Sequence, residues 1–588
     1  MKRPISNYKA YKIMDIRNGM KSLDLKDNGL FVVILLFIAI FIAKALLSLP
    51  FYSPFIMMDE VYYDSVAQNV LDGKLYAKFL PYFGTTPPGY SIFLSLAYLF
   101  SQDKDIAYHI MLAINALVGS SIIFPTYFIL RKFCEPFISI LGSLLVAVLP
   151  VVSLFSFILM SENLFIPLFV FSIWLIIESY ERGGPVWEIL ASFSVVFIYI
   201  TRSTGIAMLA GFVAAFMYYA FISRKSKGFF ALVKEKKVLL LSFIVFLALW
   251  LIYTSYCVPY GRYSIGSPYK AESAYTGRIA SAFTHFDVMK GYVISLVREF
   301  DYLALATYFI IVFFLFYYLR SLIRRKGLDN PLYISIIYFV ISALGLLAIS
   351  TTFMSYSYTR MMYEVYGRYI EAIVPPVFIF SIIGATCFVK ENHADIKKWV
   401  APLLVYVLLI LFVLFTIPSK NYNIVNTLSI YYLYVIYNPV FSYVLLFLFA
   451  LALFSMLYLA FIDGRSIYVI LSFLVCFSLV FSAPTYWAEL LCSSNAGDDI
   501  VYYLKDNCSR DSVVFIDRSA FSGIGWYTGS ETLFWCNGSV LLTVDAMNAS
   551  SNSTYKNNPI YIISNKDYPC KVLANGSMGL RLYSYNAS

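Results

Sequence analysis

Charge is scarce in this chain. Of its 588 residues only 13% are Asp, Glu, Lys or Arg, against about 25% in average soluble domains. That scarcity excludes an ordinary water-solvated globular protein. Internal repeats and low-complexity tracts are also missing, which argues against a transporter built from two related halves. Cysteines are few, and Cys134, Cys257, Cys387 and Cys476 scatter through or beside apolar runs with no metal-ligand spacing. What the chain has is hydrophobicity: 60% apolar residues and a mean hydropathy of +0.74. Repeated apolar runs of roughly 20 residues predict an α-helical polytopic membrane protein.

The net charge of +10 needs no nucleic acid to explain it. Lys and Arg fall in short clusters between apolar runs, as the positive-inside rule expects. Seven basic residues precede Leu30, and the first apolar run is longer than a signal peptide's. Residues 1–29 therefore read as a cytoplasmic segment before an uncleaved first span.

Candidate spans lie near 30–49, 106–130, 137–158, 163–180, 187–202, 203–222, 237–255, 301–320, 331–352, 370–389, 399–418, 439–462 and 466–484. Counting the short run 88–100 as a fourteenth would turn the basic clusters outward. Read as an interfacial helix, it leaves Arg131-Lys132, Arg224 to Lys237, Arg320 to Lys326, Lys390 to Lys398 and Arg465 all facing inward. About thirteen spans then place residues 485–588 outside, along with a first loop 50–105 and a long loop 256–300.

Asparagine gives an independent check. Six N-glycosylation sequons begin at Asn507, Asn537, Asn548, Asn552, Asn575 and Asn586, and none of the twelve asparagines before residue 485 carries one. That segregation favours a glycosylated exterior for the C-terminal segment. The same segment holds Cys492, Cys508, Cys536 and Cys570, enough for two disulfides in any of three pairings. Its pattern predicts a small α/β domain, with a helix over Asp498 to Lys505, strands over Ser512 to Asp517 and Pro559 to Ser564, and a loop over 548–558.

The unusual charges collect on the predicted external faces. Asp59 and Glu60 follow the first span by about ten residues, within Met57-Met58-Asp59-Glu60-Val61-Tyr62-Tyr63. Ionised groups so near a bilayer are costly unless they have a task. Val66, Val70 and Leu71 suit a helix lying along the membrane surface. Gly73 would end it, and Pro87-Pro88 stiffens the approach to the run 88–100.

Asp59-Glu60-x-x-Tyr63, the helix, the Gly and Pro87-Pro88-Gly89-Tyr90 together resemble the C-type (GT-C) membrane glycosyltransferases. The resemblance is to their dolichyl-phosphate-mannose protein mannosyltransferase and aminoarabinose transferase branch. Met160-Ser161-Glu162-Asn163-Leu164-Phe165, Thr201-Arg202-Ser203-Thr204-Gly205 and Tyr366-Gly367-Arg368-Tyr369 fit the same order, which covers about 370 residues. The resemblance implies an enzyme that moves a sugar, such as mannose, from a polyprenyl- or dolichyl-phosphate carrier to an acceptor hydroxyl on the external face. That acceptor is a protein, a glycan or a glycolipid.

Each residue then has two readings. Asp59 is either the base of an inverting single displacement or a cap for a helix starting at Glu60 or Val61. Glu60 either holds a metal or orients the acceptor, or is a favourable charge in a helix's first turn. Glu162 is either a second acid of the site or a boundary carboxylate facing water. Arg202 and Arg368 either grip the carrier phosphate or snorkel to lipid headgroups. His285, on the long loop, and Tyr63 are the remaining substrate or metal candidates, a divalent cation being allowed by the resemblance. Where aminoarabinose transferases carry a Glu-Lys pair before their Pro-Pro, this chain has Thr85 and Thr86, which argues against that metal site and against aminoarabinose as donor.

Two other classes are weighed. An oligosaccharyltransferase needs a Trp-Trp-Asp-Tyr-Gly-type signature, and Gly525-Trp526-Tyr527-Thr528-Gly529 lacks the acid and the Trp pair. A lipid or sugar-lipid flippase calls for charge within the spans, of which Lys44 is the clearest case. Sequons imply a host that N-glycosylates its surface. The compact form points to the plasma membrane of an archaeon.

Overall fold

The structure, a computed structural model, describes residues 25–54, 58–73, 87–256, 285–308, 331–355, 366–392, 424–433, 466–494, 499–509, 511–517, 539–543, 545–551, 558–576 and 579–585, with isolated positions between them. Among these, six helices are long and apolar enough to cross a membrane: Asn28–Ser48, Lys104–Arg131, Glu162–Glu181, Ser203–Ser223, Pro331–Ser355 and Glu371–Phe388. The chain is a multi-pass membrane protein. The expected spans 399–418 and 439–462 lie largely outside the described residues.

The N-terminal half contains α1 (Leu25–Ser48), α2 (Met58–Val70), α3 (Gly89–Phe100), α4 (Lys104–Ser120), α5 (Ile123–Arg131), α6 (Pro136–Val148), α7 (Pro150–Ser153), α8 (Glu162–Glu181), α9 (Pro185–Thr201), α10 (Ile206–Lys227), α11 (Phe229–Glu235) and α12 (Lys237–Tyr256). Local chemistry sets many of these ends. Asp103 caps α4, its carboxylate accepting from the amides of Asp105 and Ile106. Pro136, Pro150 and Pro185 open their helices at positions where a missing N–H costs nothing. With twelve residues, α3 is about 18 Å long, too short to cross a roughly 30 Å hydrocarbon core.

Two expectations need correcting. The span 137–158 is not straight: it breaks at Leu149, and its halves meet at 60°. Pro150 causes the break, since it cannot donate back into α6. The carbonyls freed at the kink find another donor. Lys44 on α1 sends its ammonium to the oxygens of Val152 (3.2 Å) and Ala147 (3.5 Å), so the clearest intramembrane charge supports a broken helix. The long loop 256–300 is also not all loop, because a helix runs over Phe286–Ala306.

The C-terminal domain is built on a five-stranded sheet in the order β2-β1-β3-β5-β4. The strands are β1 (Val513–Asp517), β2 (Ser539–Thr543), β3 (Ile560–Ser564), β4 (Lys571–Asn575) and β5 (Arg581–Tyr585). β1 runs parallel to β2 and β3, and β5 runs antiparallel to β3 and β4. Helix Asp499–Asn507 packs Ile500 and Leu504 against Val514, Ile516 and Leu582. The other face buries Val513, Phe515 and Ile562 with Ala546. β1 is thus covered on both sides, which is why its five residues read as a continuous apolar run ending in Asp517. The expected loop 548–558 begins as helix, since Ala546–Ser551 is a short one. One disulfide forms, Cys508–Cys536, while Cys492 and Cys570 are free.

Chain direction decides what meets at each end of the bundle. Glu162, Arg202 and the turn before Val374 all stand where helices begin or end on the side reached by the C-terminus of α1. Arg131, Lys227 and Lys390 terminate or approach the opposite helix ends. Among the described residues, the basic positions 131, 227 and 390 therefore lie at the opposite helix ends from Glu162 and Arg202.

Candidate functional site

Helix α2 begins at Met58, so Asp59 and Glu60 both occupy its first turn, where negative charge is favoured. Asp59 lies inside the helix rather than ahead of it, and a cap for a helix starting at Glu60 or Val61 is therefore not its place. Val61, Tyr62, Tyr63, Val66 and Ala67 are buried beneath it. Gly73 ends the segment with φ +72°, a conformation that favours glycine. Ser91 of α3 donates to the Tyr63 carbonyl at 2.9 Å, holding the two helices together.

Four of the expected residues converge. Arg368 donates through Nε to Glu162 Oε1 at 2.6 Å and through Nη2 to Asp59 Oδ2 at 2.7 Å. Arg202 pairs with the same Glu162 oxygen and reaches Ser161 Oγ at 3.4 Å, and Ser161 in turn donates to Glu162 Oε2. The Arg202 guanidinium also lies over the Tyr369 ring, 5.2 Å from its centroid. Two carboxylates and two guanidiniums thus form one chain, Asp59–Arg368–Glu162–Arg202.

Exposure separates their roles. The side chains of Glu162, Arg202 and Arg368 are 2%, 8% and 8% exposed, while Asp59 is 34% exposed. Asp59 is the most open of the four to an incoming group. Burial disfavours the Arg368 charge, but Glu162 and then Asp59 outweigh it and hold the guanidinium well above its ordinary pKa. Tyr63 is buried beside them, and burial, then Asp59 and Glu162, raise its phenol.

Glu60 takes a different place. It is fully buried, and its Oε1 accepts from the Leu159 amide at 2.9 Å. It thereby fastens the stretch leading to Glu162. Asn163 and Asn115 grip the Ile158 carbonyl of that stretch at 2.8 and 3.1 Å, and Tyr90 donates to Asn115. His285 stands exposed just before helix Phe286–Ala306 and is not a partner of Asp59, Glu162, Arg202 or Arg368. Thr85 and Thr86 lie outside the described residues. Among the described residues no group of three or more His, Cys, Asp or Glu could hold a metal ion, and both carboxylates of the cluster are committed to guanidiniums. A divalent cation does not fit this donor set.

The turn bearing Arg368 has its own support, which motif reading missed. Glu371 is fully buried and accepts from the Tyr302 hydroxyl, the Ser429 amide (3.2 Å) and the Ser429 hydroxyl (2.7 Å). A carboxylate opening an apolar span three residues after Arg368 was a usable signal. Tyr302 and Ser429 carried none. Gly367 lies flat on the Tyr302 ring, where an added Cβ would come within 2.0 Å of Cζ. Gly367→Ala must therefore displace the turn, and activity is expected to fall by about 100-fold, as for a misplacement near 1 Å. Adding Tyr302→Leu should restore part of it, a non-additivity read from the double-mutant cycle.

No protein-family model matches the chain, and no curated protein matches its sequence. Solved structures do. ArnT from Cupriavidus metallidurans bound to undecaprenyl phosphate superposes with a TM-score of 0.54 at 12% identity, over 94% of this chain and 98% of that one. ArnT in the apo state gives 0.51 at 12% identity, over 95% and 98%. The chain has an ArnT-like fold. The ArnT-like fold extends over almost the whole molecule.

Proposed function

We propose that this protein is a membrane glycosyltransferase that uses a polyprenyl-phosphate-linked sugar and shares with the C-type transferases an inverting displacement at Asp59. The observation that carries the reading is the cluster Asp59–Arg368–Glu162–Arg202 at one end of an ArnT-like bundle. Asp59 takes the proton of an acceptor hydroxyl as that oxygen attacks the anomeric carbon. The bond from the anomeric carbon to the carrier phosphate breaks, its electron pair leaves with the phosphate oxygen, and configuration inverts. Each guanidinium has five N–H donors, so the carboxylates leave donors free for the departing phosphate. Undecaprenyl phosphate bound to ArnT supports a carrier of this chemistry.

The donor is assigned as a hexose such as mannose, and the acceptor as a protein, glycan or glycolipid hydroxyl. We assign the N-terminus to the cytoplasm and the C-terminal domain to the outside of the plasma membrane, which the positive-inside rule and the segregated sequons support. The competing flippase reading loses its main support, because Lys44 serves backbone carbonyls. The test is reconstitution in liposomes with radiolabelled polyprenyl-phospho-mannose and host membrane acceptors. Label appearing in acceptor is expected. Movement of the lipid across the bilayer with no transfer, for a panel of donor sugars, would replace this reading with the flippase.

A further inference from the structure

Chain 49–54 carries the path from α1 to Asp59, and it is irregular backbone. Something must fix it, because a base displaced by 1 Å loses much of its effect. The membrane bundle holds one side. Phe157 stacks on Phe51 at 5.2 Å, and Tyr108 donates to the Ser53 carbonyl at 3.0 Å.

The C-terminal domain holds the other side. Trp535 donates its indole N–H to Ser53 Oγ at 3.2 Å, and both residues are buried. The Lys505 ammonium lies between the rings of Tyr52 and Trp535, 3.9 and 4.1 Å from their centroids. It also pairs with Asp105 of α4 at 2.5 Å. One residue away from Trp535, the Phe534 carbonyl accepts from Lys104. The Cys508–Cys536 disulfide joins this aromatic corner to the end of the helix that bears Lys505. Two segments 28 residues apart are thereby locked into one clasp around Ser53.

We infer that the C-terminal domain is a positioning clamp for Asp59, with Trp535 and Lys505 as positioning residues and Cys508–Cys536 as the latch. This rests on the transferase reading for its catalytic consequence, but the clamp itself is a structural claim. Opening it leaves the buried Glu162, Arg202 and Arg368 in place, so donor binding should persist while turnover falls. A cation between two aromatic faces and a buried indole N–H are directional contacts, which suits holding a loop in one geometry. The latch needs an oxidising compartment, in keeping with the external side assigned above.

The test uses the full-length protein in lipid nanodiscs. Trp535→Phe keeps most of the ring and removes the N–H. Trp535→Ala and the double variant Cys508→Ser/Cys536→Ser open the clasp further. Amide hydrogen exchange over residues 49–63 should quicken in all three, least in Trp535→Phe. In the transfer assay, with enzyme concentration normalised to the folded fraction measured by size-exclusion chromatography, kcat should fall about tenfold in the open variants while KM for the polyprenyl-phospho-sugar stays within twofold. Unchanged exchange over 49–63 in folded Trp535→Phe and Trp535→Ala overturns the clamp, whatever the activity. Quickened exchange with unchanged kcat overturns its catalytic role. If the wild-type protein transfers no sugar, the functional reading fails alone, and exchange still decides the clamp.

Discussion

Asp59→Asn is expected to give a folded protein whose transfer rate is lower by about 10²–10⁴-fold, the range of positioned general bases. The asparagine keeps an oxygen at the place of Oδ2, so Arg368 retains an acceptor at the 2.7 Å contact. It removes the basic lone pair that would take the acceptor's proton. Because Asp59 is one-third exposed, its ion pair is screened by solvent and contributes little to stability. The loss should therefore appear in kcat with a near-normal melting temperature. The measurement is transfer from a radiolabelled polyprenyl-phospho-sugar in liposomes, alongside thermal unfolding in detergent. A variant within threefold of wild-type kcat would remove Asp59 from the chemistry and leave Arg368 and Glu162 as a structural ion-pair network.

Much of this site was legible as motif before any coordinates. Asp59, Glu162, Arg202 and Arg368 stood out because charge at membrane boundaries is rare, and rarity is visible in a sequence. Glu60 has two readings in the sequence, and the one as a charge in the first turn of a helix agrees with its place in α2. Adjacent residues on a helix point about 100° apart, and only packing shows which of two neighbouring acids turns inward. The break at Leu149 had a visible cause in Pro150, but a proline within an apolar run reads equally well as a kink or as a helix start. What holds the Arg368 turn was illegible. Tyr302, Glu371 and Ser429 come from three segments, and their joining is a matter of tertiary contact. The same holds for the clasp of Trp535 and Lys505 on Ser53, whose partners lie more than four hundred residues away in the chain. In the C-terminal domain one helix and the strands β1 and β3 followed from apolar patterning, while β2, β4 and β5 were not expected. Four cysteines allow three connectivities, and only the fold selects Cys508 with Cys536.

Glu162→Gln should behave in the opposite way to Asp59→Asn. Glu162 is 2% exposed and neutralises two guanidiniums that are themselves 8% exposed. Gln keeps the shape and one acceptor oxygen but leaves two buried cations sharing one site with the single, solvent-facing carboxylate of Asp59. Removing one partner from a buried ion network costs about 3–5 kcal/mol, a large share of the total stability of a typical fold. The expected result is a marked drop in melting temperature in detergent, with activity lost as the folded fraction falls. Uncompensated charge is distinguishable from simple cavity or packing damage. A phosphate-bearing lipid supplies the missing negative charge, so undecaprenyl phosphate should raise the melting temperature of Glu162→Gln more than that of the wild type. Ligand stabilisation scales with RT ln(1 + [L]/Kd), and tighter binding to the doubly cationic site enlarges it. A Glu162→Gln protein as stable as the wild type, or one that the lipid stabilises no more, would mean that Arg202 and Arg368 are not the cations awaiting the carrier's phosphate.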